Sequence, residues 1–175
     1  KKLDLTDNQW NTKGTLTKTG GSMNLENMVW NLTDDTTYTS DTDIGVKTLQ
    51  LNDNILTLGS ADSDIVVADN MTFNSSNEVL KTGLANLTLA NSISLEDGAI
   101  TSTGGIVSLE KGGTQSGGEL DVSVGTLKLG DDYSKSGGTF TSTENGTTLE
   151  LTDNLTLTSN TVLTLLGLTL NDKTL

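Results

Sequence analysis

The polar and apolar positions of this chain repeat one short phrase from end to end: an apolar residue, any residue, a second apolar residue, any residue, then Asp or Asn. Leu149, Leu151 and Asp153 give it most plainly. The apolar pairs are Leu3/Leu5, Trp30/Leu32, Leu49/Leu51, Ile65/Val67, Leu87/Leu89, Val107/Leu109, Leu127/Leu129, Leu149/Leu151 and Leu168/Leu170, at spacings of 27, 19, 16, 22, 20, 20, 22 and 19 residues. The fifth position departs from Asp or Asn once, at Lys111.

A recurrence near 20 residues marks a solenoid, in which one coil cannot bury its apolar side alone and does so against its neighbours. Apolar residues alternate with Thr, Ser, Glu, Gln or Lys within each copy, which is the period of a strand, whereas a helix would bring the next apolar residue three or four places on. Asp and Asn then supply the corner, because they hydrogen-bond their own backbone and tolerate the left-handed conformation. A second short strand follows in places, as at Ile93-Ser94-Leu95 and Leu155-Thr156-Leu157. The expected fold is all-β, a right-handed parallel β-helix of about eight or nine coils; coil lengths that vary argue against the strict six-residue multiple of left-handed hexapeptide solenoids. Burial is expected at the anchor pairs, with Ile93, Leu95, Leu155 and Leu157 on a second side and Leu120, Val122 and Phe140 on a third.

Composition fits this picture. The chain has 175 residues, one domain's worth, and its 33% hydrophobic content is thin for a globule but adequate for a narrow rod. Aromatics at 3% and 31 Thr agree with stacked aliphatic residues inside and β-branched residues outside. Residues 1–175 read as a single solenoid segment, cut from a longer chain because the last coil breaks off in mid-phrase. A net charge of −13 excludes nucleic acid and anionic membrane as partners, since both need a basic face. No apolar run is long enough to span a bilayer as a helix.

Two local readings concern the loops. The polar stretch from Asn31 to Lys47 is expected to form a corner and an outward loop, and Asp41-x-Asp43-x-Gly45 has the opening of a calcium loop without its remaining ligands. The pairs Gly104-Gly105, Gly112-Gly113, Gly117-Gly118 and Gly137-Gly138 are expected at coil corners with positive φ. They lack the tandem nonapeptide spacing of a calcium array.

Residues 14–21, Gly-Thr-Leu-Thr-Lys-Thr-Gly-Gly, together with the Leu-x-Leu coils and Asp-Asn corners, resemble the passenger domains of bacterial autotransporters and haemagglutinin-like adhesins. The resemblance implies a β-helical rod at the bacterial cell surface or outside the cell, mediating adhesion or self-association. Its implied partners are like molecules or cell-surface glycans and proteins, met side by side or end to end. The alternative is a purely structural stalk that displays another domain.

Candidate chemistry is sparse. Without His, Cys or Arg there is no imidazole base, thiolate or guanidinium clamp, so the chain is read as a non-enzyme with no catalytic or cofactor-binding residue and no cofactor. Paired acids would meet a glycoside hydrolase's spacing by stacking alone, as in tailspikes. Runs such as Thr15-x-Thr17, Thr101-x-Thr103 and Thr139-x-Thr141-x-Thr143 raise an ice-binding face, broken by acidic coils between them. If register holds, Asp34, Asp53, Asp69, Asp131 and Asp153 stack about 4.8 Å apart, and that column admits two readings. In one, each carboxylate is held by its own turn; in the other, a file of calcium ions runs down the corner. No copy alone offers the six to eight oxygens calcium prefers, so no metal ligand is assigned.

Overall fold

A computed structural model describes residues 8–20, 23, 25–131, 133–157 and 163–175, with the side chains of Thr156 and Leu157 outside that description. The expected anchors Leu3/Leu5, the corner residue Asp7 and the Leu157 side chain lie outside it. The strands run β1 (Gln9–Lys18), β2 (Leu25–Ser40), β3 (Ile44–Gln50), β4 (Ile55–Leu58), β5 (Ile65–Val67), β6 (Met71–Phe73), β7 (Val79–Gly83), β8 (Leu87–Leu89), β9 (Ile93–Leu95) and β10 (Ala99–Ser102). They continue as β11 (Ile106–Leu109), β12 (Gly113–Gln115), β13 (Glu119–Val122), β14 (Gly125–Leu129), β15 (Tyr133–Lys135), β16 (Thr139–Thr141), β17 (Thr147–Leu151), β18 (Thr156–Leu157) and β19 (Gly167–Thr169).

Every pairing between these strands is parallel and joins one coil to the next, so the chain is a parallel β-solenoid of about eight turns of about 20 residues. Wall A stacks β3, β5, β8, β11, β14, β17 and β19; wall B stacks β6, β9, β12, β15 and β18; wall C stacks β4, β7, β10, β13 and β16. The long β2 bends from wall A into wall C, pairing with β3 through one half and with β4 through the other.

Register corrects the repeat as read from the sequence. Trp10 pairs with Trp30 across 20 residues, and Ile44/Val46, not Leu49/Leu51, lie in register with Ile65/Val67. The irregular spacings of 27 and 16 therefore vanish. Paired residues in wall A sit 19 to 22 positions apart throughout. The polar stretch from Asn31 to Lys47 is not a loop, because β2 continues to Ser40 and β3 begins at Ile44. Its threonines alternate around Tyr38, and buried Thr36 donates its hydroxyl to the Asp34 carbonyl, so the polar spelling conceals a strand.

Interiors differ along the rod. Among the described residues wall B begins only at β6, and the coils before it pass from wall A straight into wall C. There Trp10 stacks on Trp30 at 4.4 Å between ring centroids, and Tyr38 meets both edge-on. The Trp30 indole N–H donates to Thr12 Oγ1 at 2.8 Å, which satisfies the polar atom of a ring that is fully buried. From Ile65 onward the core is aliphatic, and Ile93, Leu95, Leu155, Leu120 and Val122 are buried on the sides expected, with Phe140 packed at its margin. Leu168 and Leu170, expected inside, are 46% and 40% exposed, because β19 ends the sheet and no coil covers them.

Side chains lock the corners from coil to coil. Asn31 Nδ2 donates to Asn11 Oδ1 and Asn52 Nδ2 to Asn31 Oδ1, at 2.7 and 2.6 Å, an asparagine ladder across three coils. Where wall C returns to wall A, Asn86 donates its backbone N–H and its Nδ2 to the two oxygens of Asp64, and its own oxygen accepts from Ile106 N–H, all at 2.7 Å. Positive φ among the Asp/Asn corners is confined to Asn8, Asn52-Asp53 and Asn171-Asp172. The two members of a glycine pair serve different ends. At Gly117-Gly118 only the second has positive φ, whereas a Cβ on the first would stand 1.9 Å from the Glu96 carbonyl of the preceding coil.

Candidate functional surfaces

The Asp column is two files, not one. Asp34 and Asp53 lie at the corner from wall A to wall C in the two-walled coils, following the Trp30–Leu49 register. Asp69 starts another file, at the corner from wall A to wall B, which continues through Asn91, Lys111, Asp131, Asp153 and Asp172 by the pairing of Val67, Leu89, Leu109, Leu129 and Leu151. Toward the two-walled coils, Asp69 meets Thr48, whose hydroxyl donates to Asp69 Oδ2 at 2.7 Å.

Partners at these corners are local. Asp34 Oδ1 accepts from Asp35 N–H at 2.9 Å and Asp153 Oδ1 from Asn154 N–H at 2.7 Å, the turn bond that Asp and Asn make readily. Lysines interleave with the acids: Lys173 Nζ stands 4.0 Å from Asp153, and Lys128 Nζ 3.1 Å from Glu150 on the next coil. Glu110, Lys111, Lys128, Asp131 and Asp153 rim an open hollow of about 410 Å³, a surface of mixed charge. Among the described residues no three acidic side chains gather where they could hold a metal. Asp41, at the head of the suspected calcium loop, is engaged otherwise: Gly20 N–H donates to its Oδ2 at 2.6 Å and Lys18 Nζ lies 3.6 Å from Oδ1. That N–H, with the Lys18 ammonium adding to it, holds the carboxyl below the usual carboxylate range.

The sides of the rod carry hydroxyls in register. On wall B the outward file is Thr72, Ser94, Thr114 and Ser134, one per coil, with Thr156 next in pairing. On wall C it is Thr15, Thr37, Thr57, Lys81, Thr101, Asp121 and Thr141. Thr15, Thr101 and Thr141 therefore share one file, as an ice-binding face requires, and Thr37 and Thr57 extend it. Lys81 and Asp121 interrupt it, while Thr139 stands beside Glu119 in a different file.

Wall B also holds polar groups on its inner side, which the sequence pattern does not reveal. Gln115, Tyr133 and Lys135 occupy the inward places that Ile93 and Leu95 hold one coil earlier, at the same 20-residue spacing. Tyr133 donates its hydroxyl to Gln115 Oε1 at 2.8 Å, Gln115 Nε2 donates to the Thr139 carbonyl, and Lys135 Nζ donates to the carbonyls of Gly137 and Gly138. Burial pushes the Tyr133 hydroxyl well above its ordinary range and raises Tyr38 too. Beside them the enclosed hollow lined by Leu129, Tyr133, Phe140 and Leu149 measures about 10 Å³, too small for more than about one water.

Comparison with protein-family models, with curated proteins and with solved structures returns no match. The likeness to autotransporter passengers thus rests on the repeat itself and on residues 14–21. Of that octet, Gly14 to Lys18 form the second half of β1 on wall C, paired with Thr36 to Ser40, and Gly21 lies outside the described residues. No helix long and apolar enough to cross a membrane occurs among the described residues.

Proposed function

We propose that this chain is a rod segment of a secreted bacterial surface protein of the adhesin or autotransporter-passenger type, touching its partner through many weak contacts along its sides. The observation that carries the reading is the hydroxyl file of wall B, Thr72, Ser94, Thr114 and Ser134, which repeats one donor and acceptor per coil on a single face. At a coil spacing of about 4.8 Å, such a file suits a partner with its own closely spaced hydroxyl groups, a surface glycan above all. Single contacts of this kind are weak, and several made together on one rigid face gain affinity by effective concentration.

A stalk that binds nothing is the second reading, and one observation favours it. Trp10, Trp30, Tyr38, Phe73 and Tyr133 are all buried, so the side faces lack the aromatic residues in which binding interfaces are rich. The two readings separate in one assay. Beads coated with the chain are offered glycan-coated beads and each other, in calcium and in EDTA, beside a variant carrying Thr72→Val, Ser94→Ala, Thr114→Val and Ser134→Ala. Clustering that this variant loses supports adhesion through wall B. Clustering that EDTA abolishes puts metal at the Asp corners, and beads that never cluster leave the stalk.

A further inference from the structure

The two ends of the rod are unlike. At one end Trp10, in the first described coil, is only 3% exposed, with Trp30 stacked against it. At the other, Leu166, Leu168, Leu170 and Leu175 are 62%, 46%, 40% and 55% exposed, and they are four of the seven large apolar residues on the surface among the described residues. Leu168 continues the interior file of Leu127 and Leu149, so its outer side is core surface with nothing upon it.

The backbone at that end is equally unfinished. In wall A the outward residues direct their amides to the coil before: Glu110 N–H bonds Leu89 O, Gly130 N–H bonds Leu109 O, and Thr152 N–H bonds Leu129 O. The inward residues therefore direct theirs to the coil after. Extended to β19, this alternation turns the N–H and C=O of Leu168 away from β17, towards the free edge. An edge of this kind, flanked by apolar side chains, is a template for another strand.

We propose that the carboxy-terminal end of the rod docks a second copy of the same chain, end against end, about a two-fold axis through Leu168. Two β19 edges related by such an axis run antiparallel, and Leu168 of each copy exchanges both hydrogen bonds with its counterpart. Charge selects this geometry. The molecule carries −13, yet no charged residue occurs between Asp153 and Asp172, so end contact joins neutral surfaces while the acidic bodies point apart. The same patch on both copies makes the contact isologous, and it closes at two rather than growing into a filament. Coverage of Trp10 at the other end argues against head-to-tail stacking. The four leucines offer roughly two leucines' worth of exposed surface per copy, well short of the roughly 800 Å² per partner of a stable interface. The dimer is accordingly weak and reversible, and does not depend on what the sides of the rod bind.

Sedimentation of the whole chain from micromolar to near-millimolar concentration tests it. The expected result is a monomer–dimer equilibrium with nothing larger, tightened by salt as repulsion between the bodies is screened. Leu166→Lys and Leu168→Lys are each expected to weaken it by about tenfold or more, since a charge on an edge opposes pairing. Leu84→Lys, on the side of the rod, leaves it unchanged. Tryptophan fluorescence from the distant end confirms that each variant is folded there. With no Cys in the chain, Leu170→Cys supplies a second readout, a disulfide-linked dimer on mild oxidation that Lys13→Cys does not give. A monomer at every concentration, open-ended polymers, or equal loss with Leu84→Lys would each overturn the proposal.

Discussion

Replacing Gly138 with Ala tests how tightly one coil lies on the next. Gly98, Gly118 and Gly138 occupy the same corner between walls B and C in successive coils, with φ of +70°, +61° and +68°. A Cβ on Gly138 would stand 2.1 Å from the Gly117 carbonyl oxygen and 2.6 Å from that of Gly118, so the preceding coil would have to move. Gly14 is the control, because its φ is +69° and nothing lies within 4 Å of its added Cβ. Left-handed backbone costs an L residue about 1–2 kcal/mol, the whole expected cost of Gly14→Ala. Overpacking against rigid neighbours adds about 1–3 kcal/mol, so Gly138→Ala is expected to cost about 2–5 kcal/mol. Solenoid coils are stabilised mainly by their neighbours, so the loss should stay near the carboxy-terminal end. In urea, far-UV circular dichroism should show the later coils melting early, while fluorescence of Trp10 and Trp30 keeps its wild-type midpoint. Equal midpoints for Gly14→Ala and Gly138→Ala would refute the close approach, and a joint shift of both signals would refute local loss.

Tyr38 and Tyr133 are the only tyrosines in the chain, and burial raises both. Below about pH 10 each is neutral whether the chain is folded or not; above it the unfolded chain gives up protons that the fold retains, so stability falls as pH rises. Absorbance at alkaline pH should therefore show phenolate appearing only with unfolding, and free titration near pH 10 in a folded chain would disprove the burial of these hydroxyls. Asp41 shifts the other way: its contribution is present above an unfolded pKa of about 3.9 and is lost as pH falls through the lower native value. The Gly20 amide resonance should follow that depressed transition and lose it in Asp41→Asn; a midpoint at the ordinary carboxylate value would remove the Gly20–Asp41 bond from consideration.

Architecture is legible in the sequence because alternation and a 20-residue repeat are both local. Leu87/Leu89, Val107/Leu109 and Leu127/Leu129 stack as their spacing implies. Phase is harder to read in the early coils. Ile44-x-Val46 and Leu49-x-Leu51 both look like anchors, and only pairing tells which lies against Ile65 and Val67. The Asp column inherits that ambiguity, which is why Asp53 and Asp69 fall on different corners. The wall C threonines are scattered along the chain yet aligned in space, since coil lengths of 19 to 22 residues shift sequence offsets without shifting register. Gln115 and Lys135 are hidden for another reason: polar letters at inward positions look outward until their partners, Tyr133 and the carbonyls of Gly137 and Gly138, are known.

The ladder bonds that join each coil to the next also decide how the rod meets a pull. They run along its long axis, because the strands lie across it and every wall is parallel. Tension applied between the two ends therefore loads the coil-to-coil interfaces in series, and the bonds at a terminal interface open a few at a time rather than shearing together. Each coil of about 20 residues peeled from an end adds about 65–70 Å of chain at 3.3–3.6 Å per residue, while consuming about 4.8 Å of rod. Under load this architecture lengthens by more than tenfold per coil, at a low and nearly constant force, and so acts as a shock absorber between whatever holds its two ends.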